Sequence, residues 1–203
     1  KLDGADARIL EKQSEGLGNY RWASLQLNVD ANAAYINFYL LHNQEKEEEV
    51  TRQWTTVLES QLASTPQFLR NHLTKKYDVA VQDKNHNLYL IDVNGKVLWK
   101  KLLNGPIMGT INQVDFYKNN KLQMVFNTTK SLYAVDRLGN DVENFPISLK
   151  SPATAPVGVF DYDRNRKYRL VVPCGTMAFN YGVDGKLVKG WAFKKASSEI
   201  IGQ

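Results

Sequence analysis

Apolar and polar positions alternate in short bursts along this chain. In residues 88–99 the apolar run Leu88, Tyr89, Leu90 and Ile91 is followed by Asp92-Val93-Asn94-Gly95 and then by Val97, Leu98 and Trp99. An Asn-Gly pair supplies the positive φ angles of a tight reversal, so the segment predicts a β-hairpin whose second strand carries the aromatic. The same pattern recurs at residues 132–140, with Tyr133, Asp136 and Gly139, and at 178–186, with Phe179, Asp184 and Gly185. Gly95, Gly139 and Gly185 are 44 and 46 residues apart, and Trp99, Phe145 and Trp191 are 46 and 46 apart. Trp54 lies 45 residues before Trp99.

Ahead of each hairpin is another β-rich run, at 77–81, 122–126 and 168–172, and ahead of two of those lies a further one, at 107–116 and 153–160. Four short strands in each roughly 45 residues is the WD40-like period of propeller blades. The predicted fold is therefore all-β, with blades over 67–103, 107–149 and 153–193. Residues 22–58 would form a partial blade, 197–203 the first strand of another, and 1–21 an N-terminal extension. A blade cannot bury both faces alone, so Trp54, Trp99, Phe145 and Trp191 are expected as wedges between stacked sheets.

Near the N-terminus two strands are expected over 22–28 and 34–41. A helix over 47–62 competes with a strand over 51–58, and Thr51, Thr55, Thr56 and Val57 favour the strand. About four blades result, either as a small ring sealed by strands from both termini or as a fragment of a larger propeller. The start at Lys1 and the stop inside a strand favour the fragment.

Composition changes this picture little. Of 203 residues 43% are hydrophobic and 23% charged, an ordinary folded-domain balance. No run approaches the roughly 18 apolar residues of a membrane helix. A single cysteine, Cys174, excludes an internal disulfide and sits in an apolar run, where a buried small hydrophobe is expected.

The net charge of +5 is local in origin. Residues 1–149 carry 17 charges of each sign, whereas residues 150–195 hold nine basic side chains against three acidic ones. Arg164, Arg166, Lys167, Lys186 and Lys189 make up the possible basic patch. Their turn positions favour a scattered solvated rim, and nucleic acid is not the expected partner.

Segments 88–99, 131–146 and 177–191 resemble the strand-turn-strand unit of PQQ-like propeller repeats, and 157–172 is similar to the FG-GAP repeat of integrin-like propellers. Taken together the chain resembles an uncharacterised family of bacterial propeller proteins. That resemblance implies an exported or membrane-anchored, extracytoplasmic protein. An FG-GAP loop holds calcium through side chains at alternate positions. Here Asp161, Asp163 and Asn165 match its opening, while Arg166 and Arg169 stand where the turn glycine and the closing carboxylate would be. The loop thus resembles a degenerate calcium site in which Arg169 replaces the ion by pairing with Asp161 or Asp163. In the parallel loop from Asp115, Tyr117 stands where a second ligand would sit. Neither a metal nor any other cofactor is expected, because quinoprotein enzymes carry adjacent cysteines and this chain has one.

Catalytic motifs are absent as well. His42, His72 and His86 fall in no metal-binding spacing and read as surface or capping residues, and the chain has no GxSxG elbow or Walker loop. No catalytic residue is assigned. The expected function is a non-catalytic binding or scaffold module recognising a protein or glycan through rim loops. The alternative is a carboxylate-dependent carbohydrate-active enzyme, a hydrolase or lyase using Asp92, Asp136, Asp161 or Asp163.

Overall fold

The computed structural model describes residues 20–30, 33–42 and 54–201, the first two stretches by their backbone alone. The chain divides into two units, residues 1–52 and 53–203. In the first, β1 (Tyr20–Asp30) and β2 (Ala33–His42) pair antiparallel, with Leu25 opposite Phe38.

The second unit holds three antiparallel sheets, and its described residues contain no helix. The first sheet comprises β3 (Gln67–Arg70), β4 (Tyr77–Gln82), β5 (Asn87–Ile91) and β6 (Val97–Leu102) in sequence order. The second comprises β7 (Met108–Val114), β8 (Gln123–Asn127), β9 (Ser131–Val135) and the short β10 (Ile147–Ser148). The third has β11 (Gly158–Phe160), β12 (Arg169–Cys174) and β13 (Met177–Gly182).

These sheets stack face to face, and the period-2 alternation of each strand assigns its side chains to two cores. From β8, Met124 and Phe126 pack with Ala80, Leu88 and Leu90 of the first sheet. Val125, between them, packs instead with Leu170, Val172 and Cys174 of the third. Strands β5, β8 and β9 are buried along their whole length, which is why their sequences read as continuous runs. Cys174 is buried, and burial raises its thiol pKa. A thiol reagent such as DTNB is therefore expected to label it only after denaturant unfolds the chain; rapid labelling of the native protein would contradict this packing.

The structure departs from the sequence reading in several places. Residues 54–58 form no strand; Leu58 instead plugs the outer face of the first sheet against Val81, Tyr89 and Ile91, and Thr56 Oγ1 donates to the Gly95 carbonyl at 2.5 Å. The remainder of the strand expected over 51–58 lies outside the described residues. The third sheet has three strands where four were expected. Past β13, an isolated bridge from Tyr181 to Leu187 and the bond from Val188 N–H to the Asn180 carbonyl begin a fourth position. The chain then turns at Gly190, and no strand follows it among the described residues. Residues 197–201 likewise form no strand, with Ile200 N–H donating to the Gly175 carbonyl; 202 and 203 lie outside the described residues.

The four aromatics expected as wedges occupy different environments. Phe145 is buried, 6.1 Å from the Phe116 ring. Trp99 is half-buried against the core between the first two sheets, its Nε1 donating to the Arg137 carbonyl at 2.8 Å. Trp54 and Trp191 are 36% and 41% exposed. Trp54 lies over Gly95, and Trp191 stacks on Phe193 while its Nε1 donates to the Ala178 carbonyl.

Candidate functional site

The loops that join the first and second strands of each sheet begin at Asn71, Asp115 and Asp161, 44 and 46 residues apart. Each head residue caps its own turn. Asn71 Oδ1 accepts from Leu73 and Thr74 N–H, Asp115 from Asn119 and Asn120 N–H, and Asp161 from Asn165 and Arg166 N–H at 3.0 Å each. Short polar side chains that satisfy turn amides in this way hold exposed loops in one shape.

Adjacent sheets are joined beneath these loops by two glutamines. Gln113 of β7 accepts from Arg70 N–H at 2.7 Å and donates to the Arg70 carbonyl at 2.9 Å, while Gln67 of β3 accepts from Ile111 N–H at 2.7 Å. The backbone at Arg70 is thereby pinned, and Arg70 lines a cavity of about 330 Å³. His72, Lys75, Asp115, Asn120, Arg166 and Tyr168 complete most of the wall.

His72 bridges two loops, its Nδ1 accepting from Leu122 N–H at 3.2 Å. That bond fixes a tautomer with the proton on Nε2. Burial, and then Arg137, Lys121 and Lys75, lower the His72 pKa, against a smaller opposing pull from Asp115. The ring is accordingly a neutral donor in a positive field at pH 7. Because the folded pKa lies below the unfolded one, this histidine favours the fold above the ordinary histidine range and opposes it as the pH falls through that range.

Two of the other charges satisfy each other. Arg166 Nη1 lies 2.7 Å from Asp115 Oδ2 and also reaches Asn120. Lys75 Nζ donates to the His72 carbonyl at 2.9 Å. The Arg70 guanidinium makes no ion pair or hydrogen bond among the described residues. A second cavity of about 380 Å³ shares His72 and Leu122 with the first and is rimmed by Leu73, Tyr117 and Leu138. Between the cavities, Asn71 donates to Asp78 and Asp78 pairs with Arg137 Nη2 at 3.4 Å, tying the first sheet to the hairpin of the second.

Of the five residues in the expected basic patch, Arg166 lines the cavity. Arg164, Lys167, Lys186 and Lys189 are exposed and make no ion pair among the described residues. The pairing expected of Arg169 is corrected: among the described residues it makes no ion pair with Asp161 or Asp163, and it stands at the start of β12, opposite Phe160 of β11 and Gly182 of β13. Arg166 performs the analogous task between loops, carrying a positive charge to Asp115. Asn165 Oδ1 accepts from Lys167 N–H, which closes the same turn.

Among the carboxylates of the enzymatic alternative, Asp92 and Asp136 each accept two backbone N–H bonds within their hairpin turns. Sequence reasoning missed Arg70 and Lys75 and read His72 as a surface or capping residue. The 44- and 46-residue offsets of Asn71, Asp115 and Asp161 were the available signal, since they align the three loops.

No family model matches the chain, and no curated protein matches it. Among solved structures it is similar to the crystal structure of BBS1N in complex with ARL6DN, soaked with lead, at 12% identity and a TM-score of 0.47. The match covers 66% of this chain and 43% of that one, so it spans less than half of that chain's length.

Proposed function

We propose that the three sheets are blades of a β-propeller and that the chain is a non-catalytic binding or scaffold module, recognising a protein or glycan through its rim loops. The common strand order within the sheets and their face-to-face stacking support the propeller reading. The resemblance of the hairpins to PQQ-like repeats and of 157–172 to FG-GAP repeats agrees with it and suggests an extracytoplasmic setting.

One observation carries the functional reading. Asp92, Asp136 and Asp161 accept turn amides, and Asp163, exposed and without a hydrogen bond among the described residues, lines neither cavity, whereas Arg70 lines the first. A general acid or base needs a carboxylate free to exchange a proton with substrate. A binding site needs fixed donors on a rigid support.

The test pairs a glycan and peptide binding array with a panel of chromogenic glycosides and lyase substrates. Binding is expected to weaken on Arg70→Ala and Lys75→Ala, with no turnover of the panel. Turnover that disappears on Asp92→Asn or Asp161→Asn would overturn the reading in favour of the carbohydrate-active enzyme.

A further inference from the structure

We propose that the two cavities meeting at His72 form one docking site for a peptide that carries a carboxylate beside an aliphatic side chain. The inference rests on the binding-module reading and adds the ligand class.

Charge complementarity selects the carboxylate. The first cavity holds Arg70, Lys75 and Arg166 against the single carboxylate of Asp115. Once Arg166 and Asp115 are paired, the positive charge of Arg70 and Lys75 is left over. His72 adds a neutral Nε2–H donor, because its Nδ1 is held by Leu122 N–H. Arg70 contributes a planar fork that matches a carboxylate in two parallel bonds, and its backbone is fixed on both sides by Gln113. Burial, and after it Arg137, Lys121 and Lys75, lower the His72 pKa, so the ring itself adds no positive charge to repel or attract a ligand at pH 7.

The second cavity selects the neighbour of that carboxylate. Leu73, Tyr117 and Leu138 rim it and are 66%, 57% and 71% exposed. Three large apolar side chains converging on one opening form a surface that gains by being covered. Two of the three are leucines, whose methyl groups suit an aliphatic side chain. A sugar ring would be better served by flat aromatic faces. The shared wall at His72 and Leu122 places the two openings side by side, within reach of adjacent residues of an extended peptide.

The full chain would be titrated with the blocked peptide acetyl-Asp-Leu-Leu-amide, followed by calorimetry and by the ¹⁵N-imidazole signals of His72. Acetyl-Asn-Leu-Leu-amide, inorganic phosphate and a galacturonate oligosaccharide are the comparison ligands. The acidic peptide is expected to bind, to raise the His72 pKa and to shift the Leu122 amide. The Asn peptide should bind about tenfold more weakly, the loss of one charge-assisted contact. Arg70→Gln should cause a similar loss and Arg70→Lys only part of it, with thermal melts unchanged because Arg70 is exposed.

Equal binding of the Asp and Asn peptides, or unchanged affinity on Arg70→Gln, would overturn the proposal. Phosphate matching the acidic peptide would reduce the site to a general anion site, and a silent peptide beside a bound galacturonate would replace peptide with acidic glycan. In the last case the binding-module reading survives. It fails separately if no ligand of any class depends on Arg70 or Lys75.

Discussion

Gly139→Ala is expected to lower the stability of the protein by about 3 kcal/mol, the sum of an unfavourable backbone angle and a steric clash. Gly139 closes the β9 hairpin turn with φ +87°, which costs a residue bearing a Cβ about 1 kcal/mol. A Cβ there would stand 2.9 Å from Trp99 Cδ2 and 3.0 Å from Trp99 Cγ, inside van der Waals contact. The indole cannot easily retreat, because its Nε1 donates to the Arg137 carbonyl two residues before the glycine. Trp99 belongs to β6, so this contact fastens the first sheet to the second. Urea unfolding of the wild type, Gly139→Ala, Trp99→Leu and the double variant separates the two causes. In the Trp99→Leu background the glycine substitution should cost only about 1 kcal/mol, the backbone share. An equal cost in both backgrounds would mean that the indole is not what requires glycine there. Gly95, at φ +83°, has the Trp54 ring 2.8 Å from the same imagined atom.

That pair of contacts explains which parts of the fold could be read in advance. The hairpins around Gly95, Gly139 and Gly185 were legible because turn chemistry is local and leaves a residue-type signature. The fully buried strands β5 and β9 were legible as apolar runs. Residues 54–58 were not, since their threonines favour a strand by propensity while Thr56 and Leu58 are engaged with the first sheet in an irregular course. Trp54, Trp99 and Trp191 were visible as a spacing, but spacing does not say whether an indole is buried in a core or laid over a glycine.

The site was less legible for a different reason. Arg70 meets Gln113, His72 meets Leu122 and Asp115 meets Arg166, pairs separated by 43, 50 and 51 residues. Each contact crosses between sheets, and the register of that crossing depends on how the sheets stack. Only the turn-capping heads Asn71, Asp115 and Asp161 leave a local trace. They mark where loops are rigid without showing what the loops enclose.

Asp83→Asn is expected to cost about 3 kcal/mol at pH 7, because it removes a charged acceptor from the centre of a buried network. Asp83 is fully buried at the turn between β4 and β5. Its Oδ1 accepts from Asn85 and Asn87 N–H at 2.9 Å each, and its Oδ2 accepts from Asn87 Nδ2 and the Tyr89 hydroxyl at 3.0 Å each. An amide in its place would set a donor against at least one of these donors. Burial by itself pushes the Asp83 pKa upward, but the bonds from Asn87, Tyr89 and Asn85 prevail and hold it below the ordinary value. With the folded pKa below the unfolded one, the stabilisation is fully present above the unfolded carboxylate range. It is lost as the pH falls through that range toward the folded value. The difference in urea midpoint between the wild type and Asp83→Asn should therefore stay constant from pH 7 to about 5 and shrink below about 4. A neutral substitution at pH 7, or a difference that widens in acid, would show that the carboxylate charge is not what the network holds.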